Sequence, residues 1–257
     1  MHERLKKIKC YLLDMDGTLY LDGSVIPGAR EAVARMRRAA RVIFLTNNSS
    51  KGRRDYAEKL QKMGFDAKEE EVLTSGSVTV DYLKALYPDK RIFLLGNGLL
   101  TREFTDCGIR LDDQNPELVV VGFDTELTYD RLTKACGHIR RGVPYIATHP
   151  DINCPTASGF KPDVGSFIAL IKTSTGFAPA AVIGKPHMPM GDAIERMTGL
   201  EHSQIAMVGD RLSTDMLFAL NNGYLPVLVL SGEATREDLE FSGYHVPVVL
   251  SSIAEIL

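Results

Sequence analysis

No two cysteines in this chain stand at the Cys-x-x-Cys spacing of a zinc or redox site. The four present are Cys10, Cys107, Cys136 and Cys154. The first three fall in segments with strand or helix character, so all four read as reduced thiols rather than as a disulfide framework. No window approaches the roughly 18 consecutive apolar residues of a membrane span. The charged start Met1-His2-Glu3-Arg4-Leu5-Lys6-Lys7 precedes an apolar run too short for a signal peptide. The expected location is therefore the cytoplasm. An excess of one charge is also lacking. A formal net charge of -3 gives no bulk attraction to nucleic acid or to an acidic membrane, so any anion must be held locally. Repeats, low-complexity runs and charge blocks are absent. What remains is an ordinary globular composition, 44% hydrophobic and 25% charged over 257 residues, enough for one large domain or two smaller ones.

Short apolar runs alternate with amphipathic stretches along the whole chain. Ile8 to Leu13 has strand length and ends in Asp14-Met15-Asp16-Gly17-Thr18-Leu19. The turn-rich stretch Tyr20 to Gly28 predicts a small hairpin or flap. Ala29 to Ala40 predicts a helix, and Val42 to Leu45 a strand delivering Thr46-Asn47-Asn48-Ser49-Ser50. Ser49 or Ser50 is placed to cap the next helix, which Gly64 ends. After Pro88-Asp89 a fresh set of strand–helix units begins, able to bury its own core. Near residue 180 the first style resumes: Ala180 to Gly184 leads into Lys185-Pro186, and Gln204 to Val208 delivers Gly209-Asp210 and Asp215. Pro247 marks the last strand, Val246 to Leu250, as an edge. Such alternation implies α/β architecture, with parallel sheet covered on both faces and an inserted middle domain.

Four polar clusters thus fall at the ends of four predicted strands: Asp14/Asp16, Thr46/Asn47, Lys185 and Asp210/Asp215. In parallel α/β sheets the carboxyl ends of the strands are where ligands bind. Carboxylates gathered there cannot all stay ionised without a cation, and a hard oxygen-seeking ion such as Mg²⁺ fits them. Lys185 and Thr46, with the Asn47 amide beside them, can then bind phosphate oxygens and neutralise the charge that develops as phosphoryl moves. Taken singly, each cluster has a plainer reading. Asp16-Gly17-Thr18 alone is a turn and helix cap, and Asp215 alone favours a helix N-terminus. Gly96-Asn97-Gly98 lacks the full phosphate-loop fingerprint. His149 and His187 are isolated, and Cys154 has no identifiable base.

Asp14-x-Asp16-Gly17-Thr18 resembles the first signature of the haloacid dehalogenase (HAD) superfamily. Thr46-Asn47, Lys185-Pro186 and Gly209-Asp210-x4-Asp215 are similar to its second, third and fourth, in order. The insert between the second and third resembles the cap of the type IIA phosphatases related to NagD and to p-nitrophenyl phosphatase. The resemblance implies a doubly wound, Rossmann-like parallel-sheet core formed by residues 1–80 and 181–257, with a smaller α/β cap at 81–180. It implies that Asp14 is the nucleophile, forming an aspartyl-phosphate, and that Asp16 is the general acid/base. Asp14, the backbone carbonyl of Asp16, and Asp210 would hold Mg²⁺, with Asp215 in or beside the ligand set. The aspartate at the second position points to a phosphatase rather than a dehalogenase. Small phosphorylated metabolites would be the substrates and a homodimer is compatible. In the cap, Asp151 and Asn153 are the expected substrate contacts. Two alternatives keep the same residues: a phosphotransferase or mutase, and a phosphometabolite-binding regulator of low activity.

Overall fold

Cys10–Leu13 is buried at all four positions, because both faces of its sheet are covered. Tyr11 and Leu13 point to one face with Val42, Phe44, Ala206, Val208, Val227 and Val229, where they pack with Ala32, Val33 and Met36 of the helix Ala29–Arg37 and with Tyr56, Ala57 and Leu60 of Arg53–Lys62. Cys10, Leu12, Ile43 and Met207 alternate with them and are buried as well. The computed structural model describes residues 3–21, 23–156 and 159–256. Met1 and His2 of the charged start, and Asp22 of the flap stretch, lie outside the described residues.

The chain divides into two compact units. The first comprises Met1–Thr46, Arg53–Leu73 and Lys185–Leu257. Its six-stranded sheet runs in the order Val248–Leu250, Leu225–Val229, Ile205–Gly209, Cys10–Leu13, Arg41–Thr46, Val72–Thr74. The first five strands are mutually parallel, with Leu13 registered on Val208 to one side and on Phe44 to the other. Val248–Leu250, immediately after Pro247, is an edge strand as expected. Tyr20–Leu21 and Ser24–Val25 form a small antiparallel hairpin beside the end of Cys10–Leu13, the flap that the turn residues predict.

The second unit comprises Asn47–Gly52 and Thr74–Gly184. Its sheet, in the order Ala181–Val182, Tyr145–Ala147, Leu118–Val121, Arg91–Leu95, Arg110–Leu111, is parallel throughout. Phe93, Val119, Val121 and Tyr145 pack with Ile139, Phe167 and Ile171 on one face, and Ile92, Leu94, Val120 and Ile146 with Leu83, Leu100 and Phe104 on the other. A separate antiparallel hairpin pairs Asn153–Thr156 with Gly159–Pro162.

These unit limits differ from 80 and 181 for physical reasons. The helix Ser75–Leu86 is capped by Thr74 and contributes Val80 and Leu83 to the second core. Ala181–Val182 hydrogen-bonds to Tyr145–Ala147, so it closes the second sheet rather than reopening the first. Asn47–Gly52 is tied to the second unit by its side chains. The following helix starts only at Arg53, so neither Ser49 nor Ser50 is the residue just before it. Instead Ser49 Oγ lies 3.0 Å from Thr148 Oγ1 and accepts from the Phe123 N–H at 2.9 Å, while Ser50 Oγ donates to Asn48 Oδ1. No described helix is long and apolar enough to cross a membrane.

Candidate active site

Three adjacent parallel strands end together in the first unit, and each releases a polar residue at its carboxyl end. Cys10–Leu13 delivers Asp14, Arg41–Thr46 ends on Thr46, and Ile205–Gly209 delivers Asp210. Asp215 follows within the helical turn Leu212–Met216, where its Oδ2 accepts from the Arg211 N–H at 3.1 Å. Lys185 arrives differently from the expectation. No strand of this sheet carries it; it follows Ala181–Val182 of the other sheet and precedes the helix Met188–Thr198. Its ammonium is nevertheless fixed, donating at 2.6 Å to both Asp14 Oδ1 and Asp215 Oδ1.

Asp14, Asp210 and Asp215 each offer a carboxylate oxygen, and these oxygens lie within 4.8 Å of one another. Asp215 is fully buried, whereas the Asp14 side chain keeps 14% of its surface open, so a ligand can reach it. Burial pushes the Asp14 carboxyl well above the ordinary carboxylate range; Lys185 opposes the shift, and Asp215 and Asp210 add to it. Burial and then Asp215 push Asp210 up to about 7. For Lys185, burial works against the charged form, but Asp14 and Asp215 outweigh it and hold the ammonium protonated.

The donor set suits a hard cation. It is made of carboxylate oxygens alone, with no histidine or cysteine among the described residues of the cluster. Three carboxylates against one ammonium leave uncompensated negative charge in a buried place. Asp210 Oδ2 accepts from the Glu233 N–H at 2.8 Å, but Asp210 Oδ1 is buried with no hydrogen-bond partner among the described residues. Such an orphaned oxygen is what a metal ligand looks like without its metal. Two glycines shape the cradle. A Cβ at Gly232 would come within 2.0 Å of Asp210 Oδ2, and one at Gly17, whose φ is +83°, within 2.3 Å.

Asp16 does not join the carboxylate cluster. Its side chain is exposed, and its Oδ2 accepts from the buried Tyr20 hydroxyl at 3.3 Å. Burial, then the Asp16 charge, drives the Tyr20 phenol upward and keeps it protonated. Sequence reasoning passed over Tyr20 as part of a turn. It also passed over Ser231-Gly232-Glu233, although these follow the strand Leu225–Val229 at the same sheet end; Ser231 Oγ donates to the Gly17 carbonyl at 2.7 Å.

Asn47 and Asp151 meet within the second unit, the Asn47 amide donating to Asp151 Oδ1 at 2.9 Å. The Asn47 carbonyl accepts from Ser75 Oγ in turn. Asn153 is exposed and begins the hairpin opposite Pro162. His149 is buried between Asp163 Oδ1 and Thr148 Oγ1, each 2.9 Å away, so it is a structural histidine. The Asn97 side chain caps the helix Gly98–Asp106 through the Leu100 N–H, which gives Gly96-Asn97-Gly98 its ordinary role.

A parallel α/β sheet end carrying an accessible aspartate, a buried lysine and a three-carboxylate cradle has the groups that phosphoryl transfer requires. Comparison with known proteins gives the family. Residues 11–110 match the haloacid dehalogenase-like hydrolase model and residues 182–256 a HAD-hydrolase-like model. The acid sugar phosphatase of Staphylococcus aureus (strain MRSA252) is 36% identical over 239 residues, covering 92% of each chain. The 4-nitrophenylphosphatase of Thermotoga maritima superposes with a TM-score of 0.96 at 45% identity, covering 99% of this chain and 98% of that one. NagD from E. coli K-12 superposes with a TM-score of 0.89 at 30% identity, covering 97% and 98%. The chain belongs to the HAD-like hydrolases, in their type IIA branch, and is a phosphoric monoester hydrolase.

Proposed function

We propose that this phosphatase hydrolyses small phosphorylated metabolites, such as sugar phosphates or nucleotides, through an aspartyl-phosphate on Asp14, with Mg²⁺ as cofactor. The observation that carries the reading is the Asp14 carboxylate: accessible, at a strand end, and held at 2.6 Å by a buried ammonium. Asp14 attacks phosphorus, and as the new P–O bond forms the bond to the substrate oxygen breaks. Asp16, protonated, gives its proton to that oxygen, so the leaving group departs as an alcohol. Asp16 then takes a proton from water, whose oxygen attacks the aspartyl-phosphate and releases phosphate with Asp14 regenerated. Lys185 and Thr46 bind the phosphoryl oxygens, and Asn47 adds an amide donor. Asp14, Asp210 and the backbone carbonyl of Asp16 would hold the metal, with Asp215 orienting Lys185 and the ligand set. When bound, Mg²⁺ supplies positive charge against the phosphoryl oxygens.

The test is phosphate release from a broad panel of phosphate esters, with Mg²⁺ and with a chelator. Turnover with no second substrate, lost on chelation and restored by Mg²⁺, is expected. Loss of the ester only when an acceptor sugar is present, with the phosphoryl group ending on that sugar and not as free phosphate, would identify a phosphotransferase, and no turnover on any ester would overturn the reading.

Stability gives an independent check on the metal. The Asp210 carboxyl is raised from 3.8 to about 7 in the folded protein. A raised acid contributes stability below its unfolded value and loses it as pH rises through the folded one. Metal-free protein should therefore melt at lower temperature as pH rises across that window. Metal binding needs the ionised carboxylates, so the stabilisation by Mg²⁺ should grow over the same window. A Mg²⁺-induced shift in Tm that is flat or shrinks as pH rises would count against Asp210 as a ligand.

The pairing of Asp151 with Asn47 supports Asp151 as a substrate contact more than it supports Asn153. Asp151→Ala is expected to change the order of preferred substrates while altering kcat on a generic aryl phosphate less than about tenfold. Asn153→Ala should change that order less. An unchanged order in Asp151→Ala would leave the Asn47–Asp151 pair a packing element.

A further inference from the structure

Asp16 has one hydrogen-bond partner for its carboxylate among the described residues, and it is a group fixed by the same turn. Tyr20 Oη donates to Asp16 Oδ2 at 3.3 Å. The turn between them is closed by the Gly17 N–H donating to the Tyr20 carbonyl at 2.8 Å and by a bridge pairing Asp16 with Tyr20. Tyr20 is also anchored from the far side, since it pairs with Val25 in the flap hairpin. Its ring is fully buried in the core of the first unit, and the Lys59 ammonium lies 3.8 Å from the ring centroid. The phenol therefore has little freedom to swing, whereas the exposed Asp16 side chain has little else to hold it. Fixing one carboxyl oxygen leaves the other to face the leaving group.

From this geometry we infer that Tyr20 is a positioning residue for Asp16, holding the carboxyl in the rotamer from which it protonates the leaving oxygen. The inference rests on the acid/base reading of Asp16. It makes a demand that a packing role for Tyr20 does not. Protonation matters most when the leaving group is a poor one, so a misplaced acid slows alkyl esters and spares activated aryl esters.

The experiment compares Tyr20→Phe with the unaltered enzyme in Mg²⁺, measuring kcat/KM on p-nitrophenyl phosphate and on alkyl phosphates such as glycerol phosphate. kcat/KM reports the step that breaks the ester bond. Tyr20→Phe should lose roughly tenfold or more on the alkyl esters, part of the 10²–10⁴ that general acid catalysis supplies, and less than about threefold on the aryl ester. Equal losses on both, or no loss on either, would overturn the inference. Asp16→Asn separates the two levels of failure. If Asp16→Asn itself spares neither ester class, the acid/base reading falls. If it is selective and Tyr20→Phe is not, only the role of Tyr20 falls. Should Tyr20→Phe be poorly folded, Tyr20→Met in the Asp16→Asn background serves instead. Against Asp16→Asn alone it should change the alkyl-to-aryl ratio less than about twofold, and a further change would overturn the coupling.

Discussion

Asp14→Asn is expected to lower kcat by at least about 10³-fold, since loss of a nucleophile removes a step rather than a contact. The amide has the shape of the carboxylate but no anionic oxygen to attack phosphorus. The fold should survive. Lys185 keeps its 2.6 Å bond to Asp215, and removing one of three clustered carboxylates relieves like-charge repulsion. Metal-free Asp14→Asn should therefore melt no lower than the unaltered protein, even while it is inactive. The two measurements together separate a chemical role from a structural one. Activity within tenfold of the unaltered enzyme would refute the nucleophile assignment, and a collapse of Tm would show that Asp14 is chiefly a partner for Lys185. Incubation with substrate followed by acid quenching should find phosphate on the unaltered enzyme and none on the variant.

How much of this was legible in the sequence depends on the range of the contacts involved. Asp14, Thr46 and Asp210 could be read because each ends a buried strand, and apolar runs that stop at a polar residue are a local signal. The convergence of these three strands follows from parallel α/β topology. Lys185 was legible as a residue but not as a geometry. Its partners lie 171 and 30 positions away, and it is placed by two ion pairs rather than by the end of a strand in that sheet. Asn47 shows the same limit. Nothing local distinguishes it from Thr46, yet its amide bonds to a residue 104 positions on and its neighbours Ser49 and Ser50 tie the segment to the second unit. The hairpin Asn153–Thr156/Gly159–Pro162 was hidden for another reason. It is exposed along most of its length and carries a proline in each strand, so it shows neither alternation nor the usual strand composition. Tyr20 was concealed by its surroundings, since a buried aromatic beside a turn usually signals core, and core is also what it forms.

The most severe loss of stability should come from Lys185→Met, which keeps an unbranched apolar stem and removes the charge. The ammonium is 2% exposed and bridges two carboxylates, with a third nearby. Deleting one partner of a buried pair leaves the others uncompensated, at a cost of about 3–5 kcal/mol. In metal-free protein this corresponds to a fall in Tm of roughly 6–20 °C for a chain of this size. If the two units melt separately, the fall belongs to the unit carrying Asp14. Two further dependences identify the cause. Asp14 and Asp210 take up protons more readily than ordinary carboxylates, so lowering the pH should neutralise the cluster and shrink the difference between variant and parent. Mg²⁺ should shrink it as well, by supplying positive charge to the same oxygens. Activity should not recover with stability. If Lys185 binds the phosphoryl group as proposed, a cation on Asp14 and Asp210 would not replace that donor, and kcat should stay about 10²–10³-fold down at saturating Mg²⁺. A metal-free Tm unchanged by the substitution would show that Lys185 does not neutralise the cluster. Recovery of full turnover by Mg²⁺ would show that its role is neutralisation alone.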